Sequence, residues 1–262
     1  MTVRVARDEG VLRLHLDKPA KRNALDDDMV ATLIAEVEAA GMDEAVRAIL
    51  VTGEGDHFCS GFDIVGRNAG TGARPRVGSI QRRLPAQAHR LVPLLCTTQV
   101  PVVVGARGWV AGIGLHLAAA ADFLVIAEDA HVWEPFAARG FTPDSGGTWL
   151  LPRLIGVQRA RSLLLLGEAI DGATAVGWGL GHRAVPAGEV DDEAAALAAR
   201  LASGPTVSLG LTKWLLHTSA EQPLDQHLRA EAFAMELSSR SEDFREGLQA
   251  FAERREPRFR GR

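Results

Sequence analysis

Val11–Leu16 (VLRLHL) alternates apolar and polar residues, the period-two signature of a strand with one buried face. The period then changes. Met29, Val30, Leu33, Ile34 and Val37 recur at close to 3.6 residues behind Asp26, which predicts an amphipathic helix capped by that aspartate. Residues 48–52 (AILVT), 100–104 (VPVVV) and 123–126 (FLVI) are short apolar runs and read as buried strands. Residues 80–96 read as one helix despite Pro85 and Pro93, and residues 112–121 (GIGLHLAAAA) as a helix of small residues. Strand, helix and strand thus alternate through the first two thirds. From about 158 to 251 the pattern is mostly helical, with breaks at Gly167, Gly177 to Gly181, Gly204-Pro205 and Pro223. The expected class is α/β, with a core over residues 1–200 and a helical region over 201–262. No fixed-length repeat is apparent.

The 262 residues are 47% hydrophobic and 24% charged, a composition that supports a substantial core and argues against disorder. Lys plus Arg number 29 against 33 Asp plus Glu, so the chain lacks the basic excess of a phosphate-tracking nucleic-acid binder. Two cysteines, Cys59 and Cys96, make no disulfide framework. The first residues, MTVRVARDEG, show no apolar signal region, and no apolar stretch approaches a membrane span. A reducing cytoplasm is the expected location. Residues 66–78, rich in glycine and arginine and without apolar period, read as a mobile loop.

Three segments carry candidate chemistry. In FCSGFDI (58–64) a glycine turn follows a strand, and the Phe62 N–H is a candidate donor. In GARGWVAGIGLH (105–116) a strand ends in glycines and a helix begins, which leaves unsatisfied N–H groups at its start. The Ile113 amide there suits a developing oxyanion. In GFTPDSGGT (140–148), Asp144 precedes a helix predicted to start at Ser145, so it reads either as an N-cap or as a carboxylate base. Cys59 reads as a small buried residue, with no basic partner adjoining it in sequence. His15, His57, His89 and His131 show no metal-ligand spacing, and no metal is expected.

Taken together and in order, these segments resemble the crotonase, or enoyl-CoA hydratase/isomerase, superfamily. The resemblance runs from LDKPAKRNAL through GWVAGIGLHLAAAADF and GFTPDSGGTWLLPRLIG to FAERREPRF. It implies a spiral of ββα units with a C-terminal helical region that builds homotrimers, often paired into hexamers. It also implies an acyl-CoA substrate, with coenzyme A as part of that substrate and no permanently bound cofactor. The thioester carbonyl then sits between the Phe62 and Ile113 amides. Lys21, Arg22 and Ala24 match the loop that holds coenzyme A, Asp63 and Ile64 match positions beside the adenine, and Phe251 and Arg254 match C-terminal positions that reach a neighbouring subunit's coenzyme A. Hydratases similar in sequence use two glutamates, whose positions here hold His116 and Phe136; Glu134 lies two residues earlier. Asp144 matches the acid/base aspartate of isomerases, and PDSGGTWLLPR looks closest to the phenylacetate type. The resemblance therefore implies an enoyl-CoA isomerase, with His116 supporting Asp144. Hydratase, hydrolase or dehalogenase chemistry on the same fold, or acyl-CoA binding without turnover, are the alternatives.

Overall fold

The computed structural model describes residues 2–64 and 76–262, so the loop expected at 66–78 falls largely outside the described residues. In chain order the strands are β1 (Val3–Asp8), β2 (Val11–Leu16), β3 (Ala48–Gly53), β4 (Val102–Ala106), β5 (Trp109–Ala111), β6 (Phe123–Ala127), β7 (His131–Trp133) and β8 (Arg183–Val185). One sheet has the order β1-β2-β3-β4-β6-β8, and β5 pairs with β7 in a second. Among the described residues, only β1 and β2 are antiparallel in the large sheet and every later pair is parallel. Parallel neighbours need crossovers, and their strands are covered on both faces, which is why β3 and β4 read as unbroken apolar runs.

The helices are α1 (Asp27–Ala40), α2 (Ser79–Arg83), α3 (Ala88–Thr97), α4 (Ile113–Ala120), α5 (Gly147–Ile155), α6 (Val157–Arg161), α7 (Gly172–Trp178), α8 (Val190–Ala202), α9 (Thr206–Ser219), α10 (Leu224–Ser238) and α11 (Glu242–Glu253). Asp26 caps α1 as expected, its side chain accepting the Met29 N–H at 2.9 Å. Met29, Val30, Leu33, Ile34 and Val37 are all buried.

The small sheet explains the spiral. Parallel bridges join Leu25 to Phe62 and Cys59 to Val110, and β5 pairs with β7. Each circuit of the chain therefore lays a strand in the large sheet and then an extended segment in a second layer. The clearest circuits are β2, Leu25 and α1, then β4, β5 and α4. Helix α8 closes the large sheet by packing on β3, β4 and β6. Its Ala194, Ala198 and Ala202 form one buried stripe at four-residue spacing. Gly105 on β4 makes room for it, since a Cβ there would stand 3.0 Å from the Ala194 Cβ.

Three expectations are corrected. The helix expected over 80–96 is broken: α2 stops at Arg83, a 3-10 turn spans Leu84–Ala86, and α3 starts at Ala88. Pro85 has no N–H to donate and its ring crowds the preceding turn. The stretch expected to be mostly helix contains β8, a three-residue strand whose place is set by its pairing with β6 rather than by local pattern. Finally, α5 begins at Gly147 with Gly146 as its cap, so Asp144 is not an N-cap. Gly146 takes φ +94°, a left-handed turn that separates Asp144 from the helix start. Among the described residues, no helix is long and apolar enough to cross a membrane.

Candidate active site

Two turns come together in the second layer. Phe58 and Cys59 donate to the carbonyls of Arg107 and Trp109 at 2.8 and 2.9 Å, and Ala111 donates to Cys59 at 2.9 Å. The two segments run parallel with Cys59 opposite Val110. Beyond that bridge each segment turns at a glycine with positive φ, Gly61 before Phe62 and Gly112 before Ile113. These two glycines abut: a Cβ on Gly112 would lie 3.8 Å from the Gly61 Cα.

The direction of the Phe62 amide follows from the bonds around it. Leu25 donates to the Gly61 carbonyl and accepts from the Asp63 amide. In a trans peptide the C=O and N–H point opposite ways, and no described peptide is cis. With the Gly61 C=O turned toward Leu25, the Phe62 N–H points away from Leu25. Ile113 opens α4, whose ladder starts only with the His116 N–H on the Gly112 carbonyl at 3.0 Å. The Ile113 N–H therefore has no acceptor within its own helix. Gly114 is required for the same close approach, because a Cβ there would stand 2.6 Å from the Cys59 Cβ.

Behind these turns lies a fully buried polar pair. His116 Nε2 is 2.8 Å from Glu134 Oε1, and neither side chain is exposed. Phe136 stacks on the imidazole, with centroids 5.9 Å apart and planes 7° apart, and its edge also approaches Gly112. Sequence reasoning left Glu134 without a role. The structure turns it inward onto His116, while Phe136 stands beside the paired turns.

The segment carrying Asp144 is anchored on both sides of this stack. Phe141 meets Phe136 edge-on at 5.3 Å, and Gly147 packs so closely on the His116 ring that no Cβ fits. Asp144 between them is exposed, and its Oδ1 accepts the Ser145 hydroxyl at 2.8 Å. It opens onto a cleft of about 560 Å³ that it shares with Val92, Cys96, Trp149 and His217. Phe62, Ile113 and His116 are not among the residues lining that cleft. Asp144 is tied to them through Phe136, Phe141 and Gly147.

The loop over 18–25 lies against the first turn. Ser60 donates to the Arg22 carbonyl at 3.0 Å. Lys21 pairs with Asp63 at 2.6 Å, which unites two positions read separately from sequence. Lys18 joins them, at 2.8 Å from Asp26 and 3.2 Å from Asp63. The Arg22 guanidinium lies 5.3 Å from the centre of the Trp109 ring. Ala24 is buried, and Ile64 donates to the Phe62 carbonyl at 2.8 Å.

The enoyl-CoA hydratase/isomerase family model matches residues 6–262. The chain belongs to the enoyl-CoA hydratase/isomerase family. The 1,2-epoxyphenylacetyl-CoA isomerase of Escherichia coli is 37% identical over 257 residues, covering 97% of each chain. The 2,3-dehydroadipyl-CoA hydratase of the same species is 31% identical, covering 98% of each. A solved enoyl-CoA hydratase/isomerase from Mycobacterium abscessus superposes with a TM-score of 0.91 at 34% identity, over 99% of this chain and 100% of that one.

Within this enoyl-CoA hydratase/isomerase chain, the two C-terminal positions lie apart from the rest. Phe251 is 86% exposed on α11, and Arg254 ends that helix in the left-handed conformation.

Some supporting residues carried no readable signal. Asn23, wholly buried at φ +53°, accepts from the Lys18 amide and donates to the carbonyls of Glu54 and His57. Its position in KRNAL hints at a left-handed turn, but its three partners are brought by folding. Among the described residues, no group of three or more His, Cys, Asp or Glu side chains is placed to hold a metal ion.

Burial pushes the Cys59 thiol up to about 12. Because the thiolate is the nucleophile, Cys59 is expected to resist iodoacetamide at mildly alkaline pH in the folded protein and to react once it is unfolded. Peptide mapping by mass spectrometry after each treatment checks this.

Proposed function

We propose that this family member acts on a coenzyme A thioester and shifts the double bond of an enoyl-CoA. In this reading the Phe62 and Ile113 amides hold the thioester oxygen. The Asp144 carboxylate removes a proton from C2 of a 3-enoyl chain, the negative charge moves to the oxygen, and the proton returns at C4. The double bond moves from C3 to C2, and the carboxylate is regenerated. Coenzyme A enters as part of the substrate, against Lys21, Arg22, Ala24, Asp63 and Ile64.

The observation that carries the isomerase reading is Phe136, buried beside the paired turns where hydratases similar in sequence place a carboxylate. The other such position is His116, and the nearby Glu134 is committed to it. Neither leaves a carboxylate pair to activate water. Asp144 supplies the single acid/base that a double-bond shift needs. The likeness over 97% of the chain to a 1,2-epoxyphenylacetyl-CoA isomerase supports isomerisation of a coenzyme A thioester in general, and relatives named as hydratases match as well.

The test is a panel of linear and aromatic 3-enoyl-CoA and 2-enoyl-CoA thioesters followed by absorbance. The expected result is growth of the conjugated 2-enoyl band without its subsequent decay by hydration. Rapid hydration of 2-enoyl-CoA with no isomerisation would end this reading.

The exposed Leu216, Leu224, Leu228, Phe233 and Phe251 on α9 to α11 support assembly with further copies, as a trimer or hexamer in which Phe251 and Arg254 reach a neighbour's coenzyme A. Light scattering of the purified chain is expected to give three or six times the 28.0 kDa protomer mass. A monomer would remove that assignment.

A further inference from the structure

We infer that Glu134 is a positioning residue that sets the direction of the Ile113 amide, acting through His116; this rests on the oxyanion reading of Ile113. The segment Trp133-Glu134 holds the start of α4 at two points. The Trp133 carbonyl accepts the Gly112 N–H at 3.1 Å, just before Ile113. The Glu134 carboxylate binds His116 Nε2 at 2.8 Å, one turn after it. Ile113 lies between the two attachments, so its N–H has little freedom to turn. Trp133 is itself fixed, its Nε1 donating to the Gly167 carbonyl at 2.9 Å.

The pair is poorly explained as a device for stability. Both side chains are fully buried, and His116 Nδ1 and Glu134 Oε2 have no hydrogen-bond partner among the described residues. A half-satisfied buried pair costs desolvation that one hydrogen bond does not return, and an apolar pair of similar volume is often as stable or more so. The geometry is specific where packing would not need to be. Phe136 stacks on one face of the imidazole, and Gly147 is bare of a Cβ where it meets the ring. The same contact thus links the amide at Ile113 to the segment bearing Asp144.

The experiment compares the parent, Glu134→Gln and the double variant Glu134→Leu/His116→Leu. Each is saturated with a 2-enoyl-CoA, and the carbonyl stretching frequency of the bound thioester is read by difference infrared spectroscopy. Thermal midpoints and 3-enoyl-CoA kinetics accompany it. The parent should lower the carbonyl frequency, the mark of a polarised thioester. Glu134→Gln keeps a hydrogen-bond partner for His116 Nε2 and should retain that shift, with kcat within about threefold of the parent. The double variant should stay folded, lose the shift and lose about 100-fold in kcat, on the scale of a missing oxyanion donor, with KM within about threefold.

A folded double variant that keeps the shift overturns the inference. One that binds no thioester, or does not fold, also overturns it, since the pair would then serve binding or stability. A parent that shows no carbonyl shift would instead remove the oxyanion reading itself, which separates the two failures.

Discussion

Asp144→Asn is expected to lower kcat for the double-bond shift by about 10²- to 10⁴-fold, the usual contribution of a positioned acid/base. The amide has the same shape and can still accept the Ser145 hydroxyl that Asp144 accepts at 2.8 Å. It cannot take up a proton at neutral pH. Asp144 is exposed and caps no helix, so its replacement should leave the thermal midpoint within a degree or two, the range of ordinary surface changes. The amides assigned to the thioester oxygen are untouched, so KM should change little. Loss in kcat with KM and stability preserved is the pattern of a group that acts in the transition state. Steady-state kinetics on a 3-enoyl-CoA, beside a melting curve, decides it. Activity within a few-fold of the parent would remove Asp144 from the mechanism. An ester trapped on Asp144 of the parent, seen by mass spectrometry, would make that carboxylate a nucleophile rather than a base.

Lys213→Met should cause the largest loss of stability. Lys213 is 8% exposed and carries α9 onto the core by donating to the Leu95 carbonyl at 2.8 Å, the Val100 carbonyl at 3.2 Å and Asp122 Oδ2 at 2.6 Å. Asp122 Oδ2 also accepts the Val102 N–H at 2.7 Å, at the entry to β4. Burial pushes the Asp122 carboxyl above its ordinary range and the Lys213 ammonium below its own, so desolvation outweighs their attraction. A pair of that kind adds little net stability while intact. Removing one partner leaves the other charge stranded, which costs about 3–5 kcal/mol. The lower end applies, because Asp122 retains 23% exposure.

The pH dependence has a definite sign. Without Lys213 the Asp122 carboxyl in the folded state is raised further above its unfolded value. A raised carboxyl favours folding below the unfolded value of about 4, and that benefit is lost as pH rises through the folded value. The deficit of Lys213→Met should therefore be small in acid and full at neutral pH. Adding Asp122→Asn, which keeps an acceptor for Val102, should recover part of it. Urea unfolding midpoints across that range test this; a deficit independent of pH would mean that lost packing, not stranded charge, is responsible.

Much of this was legible in the chain alone. The β2 alternation, the Asp26 cap with its apolar stripe along α1, and the apolar runs of β3, β4 and β6 are local patterns. Backbone hydrogen bonding and burial convert them directly into elements. The glycine turns before Phe62 and Ile113 were visible because few other residues permit a left-handed backbone or so close an approach.

What sequence determined by itself was therefore the set of elements, the family pattern and the places where the chain must turn sharply. Tertiary structure decided the rest. It laid the turn before Phe62 against the turn before Ile113, beside the bridge of Cys59 and Val110, and turned Glu134 inward onto His116. It also drew β8 to the sheet edge and fastened α9 with Lys213. Each of these depends on partners distant in the chain, 18 residues for Glu134 and His116 and 91 for Lys213 and Asp122. Period and propensity act within a turn or a strand, whereas register and side-chain pairing exist only once distant segments share a surface.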